Sequence, residues 1–357
     1  MSEWKIVRLG DVLIQQNKSK IKAGEGIDDG VYPFYTCSNE LTKQINTAQY
    51  KGPALIFGTG GKASVHFCSG SFSTSTDCLV YKTSKEVNLS LVNKYLRKNM
   101  YLLENGFKGA GLKHISREYI ANIEISLPEI LEQNKLVSQF DLIESSITNH
   151  KKMLEKYDTL IKSRFIEMFG DPVENPMGWE VKKLGDICTK ISDGVHAKPE
   201  YTATGKPFIS VVNINSGKLL FDDCKYVSEE AYEKMIKSTH PEKGDVLYTK
   251  VGATYGIPAL VDTDRAFCLY VSVALLKPKS EIVNSQFLTT SMAQPYIKNQ
   301  ADKRIKGIGV PDLHLNQIRE FEVLVPPLEL QNQFNSFVQQ IDKSKFEIEK
   351  IVKMVYN

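Results

Sequence analysis

Short apolar runs bounded by glycine, proline or charged residues recur along most of the chain. Two examples are Ala54–Gly58 (ALIFG) and Val246–Val251 (VLYTKV). Short runs that are rich in β-branched and aromatic residues predict buried β-strands. Apolar residues with helical spacing near residues 90–105 and 228–238 predict short helices among these strands. The pattern therefore predicts mixed α/β (α+β) units that are rich in strand.

Two longer stretches have a different period, with apolar residues in alternating steps of three and four. The first stripe consists of Leu136, Phe140, Ile143, Ile147, Leu154, Tyr157, Ile161 and Met168, with His150 and Arg164 as interruptions. The second consists of Phe334, Val338, Ile341, Ile348, Val352 and Val355, with Lys345 as the interruption. Stripes this narrow are typical of a coiled-coil seam. At 1.5 Å per residue, the two helices would be about 60 Å and about 42 Å long.

Each long helix has a possible partner with the same pattern, which is the other long helix. We expect the two to pair as an antiparallel coiled coil, because a globular unit of this size is only about 30–40 Å across. In the alternative arrangement, each helix packs against its own globular unit.

The chain also repeats itself. Three segments return in the same order: Trp4–Val12 (WKIVRLGDV) as Trp179–Ile187 (WEVKKLGDI), Lys108–Gly111 (KGAG) as Lys306–Gly309 (KGIG), and Glu124–Glu144 as Glu322–Asp342. The third segment carries a Gln-Asn dipeptide in both copies, Gln133-Asn134 and Gln331-Asn332. The numbering offset grows from 175 to 198, so the second copy has an insertion of roughly twenty residues in its middle. This order indicates a duplication, with a pseudo-twofold relation between the copies.

These patterns divide the chain into four segments. Residues 1–127 and 171–325 are expected to form the two α/β units, and residues 128–170 and 326–357 the two long helices. The first long helix should end at Gly170–Gly178 (GDPVENPMG), because glycine, Asp-Pro and Asn-Pro stop helices.

Composition narrows the class of protein further. The formal net charge of +3 permits a nucleic-acid partner if basic residues gather on one face. The six cysteines lack a CxxC pair, which favours free thiols in a reducing cytoplasm, with metal or disulfide roles as the alternative. The sequence shows no signal-peptide pattern and no apolar run long enough to span a membrane. We therefore expect a cytoplasmic protein.

No segment carries a complete catalytic or metal-binding motif. Gly58–Ser64 (GTGGKAS) resembles a phosphate-binding loop, but Ile56 replaces the first glycine and Ala63 follows the lysine in place of Ser or Thr. The six histidines lack metal-ligand spacing. Pro311–Leu315 (PDLHL) contains a Pro-Asp found in nucleases, without the accompanying Glu-x-Lys pair. The sequence therefore predicts no catalytic residue, no metal site and no cofactor in this chain.

Two diverged α/β heads, each followed by a repeated proline turn and a long helix, resemble the specificity (S) subunit of type I restriction-modification systems. The resemblance covers essentially the whole chain and is carried by WEVKKLGDI, GKPFISVVNI, GDVLYTKVGATYG and the repeated ISLPEILEQNKL and VLVPPLELQNQF. It implies two target recognition domains in tandem, each reading one half of a bipartite site in double-stranded DNA. The helices would form the spacer, and the subunit would have no catalytic activity of its own.

The same resemblance implies the partners. Two modification subunits that methylate adenine would dock on the repeated regions. Restriction subunits would complete the endonuclease that acts in phage defence. S-adenosylmethionine, ATP and Mg²⁺ would belong to those subunits and not to this chain, and no membrane partner is expected.

Polar and basic residues in the loops are the candidates for DNA contact. In the first head they are Thr59, Lys62, Ser64, Thr74, Thr76, Lys108, Lys113 and His114. In the second head they are His196, Lys198, Lys250, Thr254, Tyr255, Lys303, Arg304 and Lys306. Lysine attracts phosphates, while Thr, Ser, His and Tyr reach phosphates or base edges. Asp193–Tyr201 (DGVHAKPEY) resembles a Gly-x-His-x-x-Pro-x-Tyr pattern of the family, which the first head lacks.

Two other functions are alternatives to this one. A single-chain restriction-modification enzyme would need methylase and nuclease motifs, for which 357 residues leave no room. A coiled-coil scaffold or signalling protein, with two heads that do not bind DNA, is the alternative that stays open.

Overall fold

A computed structural model describes residues 4–83, 85–305 and 309–356. Of residues 355 and 356 it describes the backbone only. The chain divides into two compact units, Met1–Thr148 and Asn149–Asn357. The boundary between them falls inside the first predicted long helix. Within the described residues, no helix is long and apolar enough to cross a membrane.

The first unit is rich in short strands, as its sequence predicts. Its strands are β1 (Lys5–Arg8), β2 (Ile14–Gln15), β3 (Tyr32–Tyr35), β4 (Lys43–Ile45), β5 (Tyr50–Lys51), β6 (Ala54–Gly58), β7 (Ser64–Cys68), β8 (Ser71–Thr74), β9 (Cys78–Lys82) and β10 (Glu124–Leu127). Its helices are α1 (Leu9–Val12), α2 (Leu89–Lys98), α3 (Tyr101–Glu104), α4 (Arg117–Ala121) and α5 (Ile130–Phe169), the last of which continues past the unit boundary.

The core of the first unit has one sheet between a helix layer and a second sheet. The middle sheet is antiparallel with strand order β2-β9-β6-β7, and the other sheet has the order β4-β3-β8-β5 with β3 and β8 parallel. Leu55 and Phe57 of β6 pack with Val92 of α2, whereas Ala54 and Ile56 belong to the cluster on the opposite face. Burial on both faces explains why β6 is continuously apolar. The strand predicted at residues 54–58 is confirmed.

The second unit contains a comparable series of elements. Its strands are β11 (Glu180–Lys183), β12 (Cys188–Asp193), β13 (Lys206–Ile209), β14 (Lys225–Val227), β15 (Val246–Thr249), β16 (Pro258–Leu260), β17 (Cys268–Leu269), β18 (Val273–Pro278) and β19 (Glu322–Val325). Its helices are α6 (Leu184–Ile187), α7 (Glu229–Ile236), α8 (Ser285–Met292), α9 (Pro295–Arg304), α10 (Leu315–Arg319) and α11 (Leu328–Tyr356).

Strand order shows that the two units share one topology. The order β12-β18-β15-β16 repeats β2-β9-β6-β7, and β14-β13-β17 repeats β4-β3-β8, including the parallel pair. The predicted duplication is therefore confirmed in the fold. Helix α7, between β14 and β15, has no counterpart between β4 and β6, and it accounts for part of the predicted insertion.

The repeated flanks close each unit on itself. Strand β1 pairs antiparallel with β10, placing Val7 opposite Ile125. Strand β11 pairs with β19 in the same way, placing Lys182 opposite Val323. The first and last segments of each repeat are therefore neighbours in space, although the variable middle separates them in sequence.

The two long helices run antiparallel where they meet inside the second unit. Phe334 of α11 packs against Phe165 and Phe169 of α5, with ring centroids 5.5 and 5.6 Å apart. Lys345, further along α11, pairs with Asp158, which lies earlier in α5. Rising numbers in one helix thus meet falling numbers in the other, which confirms the predicted direction for this stretch. In the first unit, Leu136 at the start of α5 packs against that unit's own core, as the alternative arrangement expects.

Burial along the helices corrects part of the predicted stripe. Phe165 and Phe169 are the buried positions near the end of α5, one residue beyond the predicted Arg164 and Met168. Phe140 and Ile143, earlier in the stripe, are exposed. In α11 the stripe fits better: Phe334, Val338, Ile341 and Ile348 are buried, Val352 is half-buried, and the side chain of Val355 lies outside the described residues.

Candidate DNA-binding surface

Two loops of the first unit are joined edge to edge by backbone hydrogen bonds. One loop connects β6 to β7 and the other precedes α4. The N–H of Gly61 donates to the carbonyl of Lys113 at 3.0 Å, and the N–H of Ile115 donates to the carbonyl of Thr59 at 3.1 Å. Gly61 has a φ of +81°, in the left-handed region that favours glycine. We call these two loops, residues 58–62 and 108–115, the loop pair of the first unit.

The loop pair gathers five of the predicted contact residues at one edge. Lys108 and His114 exchange backbone hydrogen bonds of 2.9 and 3.0 Å, and Nδ1 of His114 lies 3.1 Å from the carbonyl oxygen of Thr59. Lys62, Lys108, Lys113 and His114 are exposed, and none of these lysines has an ion-pair partner among the described residues. The edge therefore presents uncompensated positive charge.

Other predicted residues of the first head are structural. The side chains of Ser64 (1% exposed) and Thr74 (0% exposed) lie inside the unit, which corrects the expectation that they are at its surface. The hydroxyl of Thr59 donates to the carbonyl of Asp77 at 2.8 Å, and Thr76 is half-buried.

Cys37 lies directly beside the first loop pair. Its Sγ accepts the N–H of Gly60 at 3.4 Å and lies 3.1 Å from the carbonyl oxygen of Asp77. A hydrogen bond from the Cys78 thiol, followed by those from the N–H groups of Gly60 and Thr59, holds the pKa of Cys37 below its usual value. The pKa of Cys78 is raised, because Cys78 keeps the proton in this pair and is buried.

The second unit builds the same loop pair from residues 250–256 and 309–314. The N–H of Gly252 donates to the carbonyl of Pro311, and the N–H of Leu313 donates to the carbonyl of Lys250, both at 2.9 Å. Gly252 has a φ of +89°, so it matches Gly61 in conformation as well as in position. By these bonds Lys250 occupies the place of Thr59, and Asp312 occupies the place of His114.

Lys250 has a structural role that the sequence did not reveal. It is only 4% exposed, and its ammonium lies 3.4 Å from Asp193 and 3.5 Å from Asp312. A buried lysine between two carboxylates joins the end of β12 to the loop pair. This corrects the expectation that Lys250 is available to DNA.

The loop after β12 carries two exposed predicted residues. His196 has a side chain that is 77% exposed, and its Nε2 lies 3.6 Å from Asp193. Lys198 is exposed, with its ammonium 5.8 Å from the ring centroid of Tyr201. The ammonium of Lys225, which was not predicted, lies 4.4 Å from the same ring.

The remaining predicted residues of the second head lie on the loop pair and on α9. Thr254 and Lys303 are exposed, and the hydroxyl of Tyr255 donates to Asp302. The ammonium of Lys298, also not predicted, lies 3.7 Å from the ring centroid of Tyr255.

Arg304 and Lys306 complete the predicted contact residues of the second head. Arg304 donates to the carbonyls of Gln300 (2.9 Å) and Glu320 (3.1 Å), so its guanidinium is engaged in the fold, which corrects its assignment as a free contact. Lys306 lies outside the described residues.

Comparison with known protein families gives two matches along the chain. A family model described as "Type I restriction modification DNA specificity domain" matches residues 1–156 and again residues 176–354. The chain belongs to this family. The two matches correspond to the two copies of the repeat.

Relatives and solved structures agree with the specificity-domain assignment. The specificity subunit of the type I restriction enzyme MjaVIII from Methanocaldococcus jannaschii is 24% identical, covering 99% of this chain and 91% of that protein. The specificity subunit of EcoKI from Escherichia coli is 19% identical over 77% of this chain and 63% of that protein. A crystal structure of the type I S subunit from M. genitalium has a TM-score of 0.68 at 14% identity, covering 99% of this chain and 93% of that one. At that identity the structural likeness shows the fold alone.

In both units the sequence predicted the positions of the loops better than the roles of individual residues. Lys298 could have been found from its place on the same short helix as Lys303. Lys225 gave no such signal, because the pairing of Thr202 with Tyr226 brings it to Tyr201 from a separate strand. Among the described residues, no group of three or more His, Cys, Asp or Glu side chains is arranged to hold a metal ion.

Proposed function

We propose that this chain reads a two-part DNA target for a type I restriction-modification complex, with one half-site bound by each unit. The observation that carries the proposal is the loop pair, built twice from the same backbone bonds and filled with different side chains. Lys113 and His114 in the first unit stand where Pro311 and Asp312 stand in the second. Two domains that bind different base sequences need the same backbone arrangement with different side chains, because side-chain contacts recognise the base edges.

Charge supports DNA as the ligand of these edges. Lys62, Lys108 and Lys113 in the first unit are exposed and unpaired within the described structure, as are Lys198 and Lys303 in the second. Lysines of this kind attract the phosphate backbone and make binding dependent on salt. His196, Thr254 and Tyr255 add polar groups that could reach bases or phosphates.

In this proposal the chain is not an enzyme. Two modification subunits dock on the repeated regions, bring S-adenosylmethionine and methylate adenine in the target. Restriction subunits bring ATP and Mg²⁺. One similar solved structure comes from work on complex assembly and conformational transition of the type I R-M system. Its TM-score is 0.58 at 15% identity, covering 99% of this chain and 95% of that one. The helices α5 and α11 act as the spacer that sets the gap between half-sites.

The proposal is tested by methyl transfer to duplex DNA from labelled S-adenosylmethionine. We expect incorporation only when this chain and its modification subunits are both present, and a gel shift of specific duplex by the same complex. Methyl transfer by the isolated chain would overturn the non-catalytic role. Absence of any specific shift with the modification subunits present would favour the scaffold alternative.

A further inference from the structure

An apolar groove beside α2 is open in the first unit. Its cavity has a volume of about 860 Å³. The apolar residues that line it include Trp4, Leu91, Leu127, Leu136 and Phe140. Trp4 is 50% exposed and Phe140 is 41% exposed, so two large apolar side chains that line this cavity are open to solvent in the first unit. We call this cavity the α2 groove.

The internal repeat shows what fills the matching place in the second unit. Aligned on the repeated flanks and on the helix-capping residues Asn88 and Asn284, the matching positions are Trp179, Phe287, Val325, Phe334 and Val338. There the carboxyl end of α5 inserts Phe165 and Phe169. The ring centroid of Phe165 lies 5.5 Å from that of Phe287, and the ring centroid of Phe169 lies 4.8 Å from it.

A polar contact accompanies this packing. The indole N–H of Trp179 donates to the carbonyl of Phe169 at 2.9 Å and so satisfies a carbonyl at the end of α5. The indole N–H of Trp4 has no partner among the described residues. Within the described residues of the first unit, the α2 groove thus offers both halves of the contact, an apolar slot and a donor, and no helix end of that unit occupies it.

The charge at the rim of the groove differs between the two units. Arg97 and Lys98 border the α2 groove beside the Lys94–Glu144 ion pair, whereas Ala293 and Gln294 stand at the positions of the second unit that match Arg97 and Lys98. Neither Arg97 nor Lys98 has an ion-pair partner among the described residues. A helix carboxyl end carries partial negative charge, which a basic rim favours. The occupant of the α2 groove is therefore more acidic than the end of α5.

We propose that the α2 groove binds the carboxyl end of an amphipathic helix of a partner protein. That helix end carries two aromatic side chains four residues apart, as Phe165 and Phe169 do, with acidic side chains beside them. Its terminal carbonyl accepts the N–H of Trp4. Binding at the α2 groove does not depend on whether the loop pairs bind DNA.

The chain itself supplies the probe that tests the groove. A fluorescein-labelled peptide with the sequence of residues 155–178 is titrated with the full chain, and its fluorescence anisotropy is measured. We expect saturable binding that weakens as salt is raised, because the basic rim contributes. A matched peptide with Phe165→Ala and Phe169→Ala should bind at least about tenfold more weakly, since buried aromatic anchors dominate such contacts.

Variants of the chain locate the binding. Phe140→Glu should weaken the intact peptide by about tenfold or more, because it places a charge in the apolar slot. Trp4→Phe should weaken it by less, since it removes the N–H donor and keeps most of the apolar surface. Val31→Glu, at a residue of the same unit that is 71% exposed, is the control and should leave binding unchanged. Absence of binding, equal binding of the two peptides, or binding insensitive to Phe140→Glu would overturn the proposal.

Discussion

Gln331 accepts the backbone N–H of Asn284 at 2.8 Å and donates its own amide to the carbonyl of Pro326 at 2.7 Å. Asn284 in turn caps the start of α8 through its side chain. The first unit repeats the arrangement, where Gln133 accepts the N–H of Asn88 at 2.9 Å and donates to Pro128 at 2.8 Å. The repeated Gln-Asn dipeptide is therefore a structural joint between the first turn of each long helix and the body of its unit.

Replacing Gln331 with leucine should destabilise the second unit. Gln331 is fully buried, so Leu would keep most of the volume but leave the N–H of Asn284 and the carbonyl of Pro326 without a partner. We expect a loss of about 1–3 kcal/mol in the free energy of unfolding, measured by urea denaturation. Gln333→Leu, at an exposed position two residues along the same helix, is the matched control. Equal stability of the two variants would contradict the joint.

The ion pair between Lys345 and Asp158 should respond unequally to the loss of each partner. The side chain of Lys345 is 9% exposed, whereas that of Asp158 is 59% exposed. Asp158→Ala leaves the buried ammonium without its ion-pair partner, while Lys345→Met removes the buried charge and leaves Asp158 in water. We therefore expect Asp158→Ala to be the less stable variant, by about 1–2 kcal/mol in urea unfolding. The reverse order would show that Lys345 does not depend on Asp158 for its burial.

The sequence predicted features that depend on local pattern or on repetition. The continuous apolar run at Ala54–Gly58 identified a strand buried on both faces, and the two Trp-Leu-Gly-Asp flanks identified the duplication. At the carboxyl end of α5, the predicted first stripe lies one residue before the fully buried positions. An α-helix turns every 3.6 residues whereas a coiled-coil seam repeats every 3.5, so the fully buried position drifts from Met168 to Phe169, although Met168 still packs against the same core.

The candidate site was less predictable because its details depend on contacts between distant segments. Ser64 and Thr74 have the residue types of a turn, yet each lies in a buried strand. Lys250 resembles a free surface lysine in sequence, but the fold brings Asp193 and Asp312 to it from remote positions. Burial and ion pairing of this kind cannot be read from a local pattern.

Cys37 should report on occupation of the first loop pair. Its lowered pKa gives it more thiolate near neutral pH than Cys188 or Cys268, whose pKa values burial raises to about 12. We expect iodoacetamide to label Cys37 fastest among these three, with the rate rising as pH rises through its pKa. Specific duplex, bound with the modification subunits, should slow this labelling because Gly60 of the loop pair contacts Cys37. Mass spectrometry of the labelled peptides measures both effects, and unchanged labelling in the presence of DNA would count against this edge as the binding surface.

The proposed spacer role predicts the effect of lengthening the helices. Seven residues would be added after Glu155 in α5 and seven after Ile348 in α11, each three residues from the Asp158–Lys345 ion pair, which keeps the seam in register. One heptad adds about 10 Å, or about three base pairs of DNA. Activity should fall, because three base pairs also rotate the second half-site by about a third of a turn.

The quantity to measure is the gap between half-sites in the DNA motif that the lengthened variant recognises. Mapping methylated adenines in cells that express it should show unchanged half-sites separated by a longer gap. An active variant that retains the original gap would show that the helices do not set the distance.

The central claim, one half-site for each unit, is tested most directly by mapping methylated adenines for two loop variants. One variant carries Lys113→Ala and His114→Ala in the first unit, and the other carries His196→Ala and Lys198→Ala in the second. Both are expressed with the modification subunits, beside the unchanged chain. A lost base contact is worth about 1–3 kcal/mol, enough to relax a position in the motif. We predict that each variant weakens or relaxes one half of a bipartite motif and that the two variants affect opposite halves. Equal relaxation of both halves by either variant, or a single continuous motif for the unchanged chain, would contradict the account.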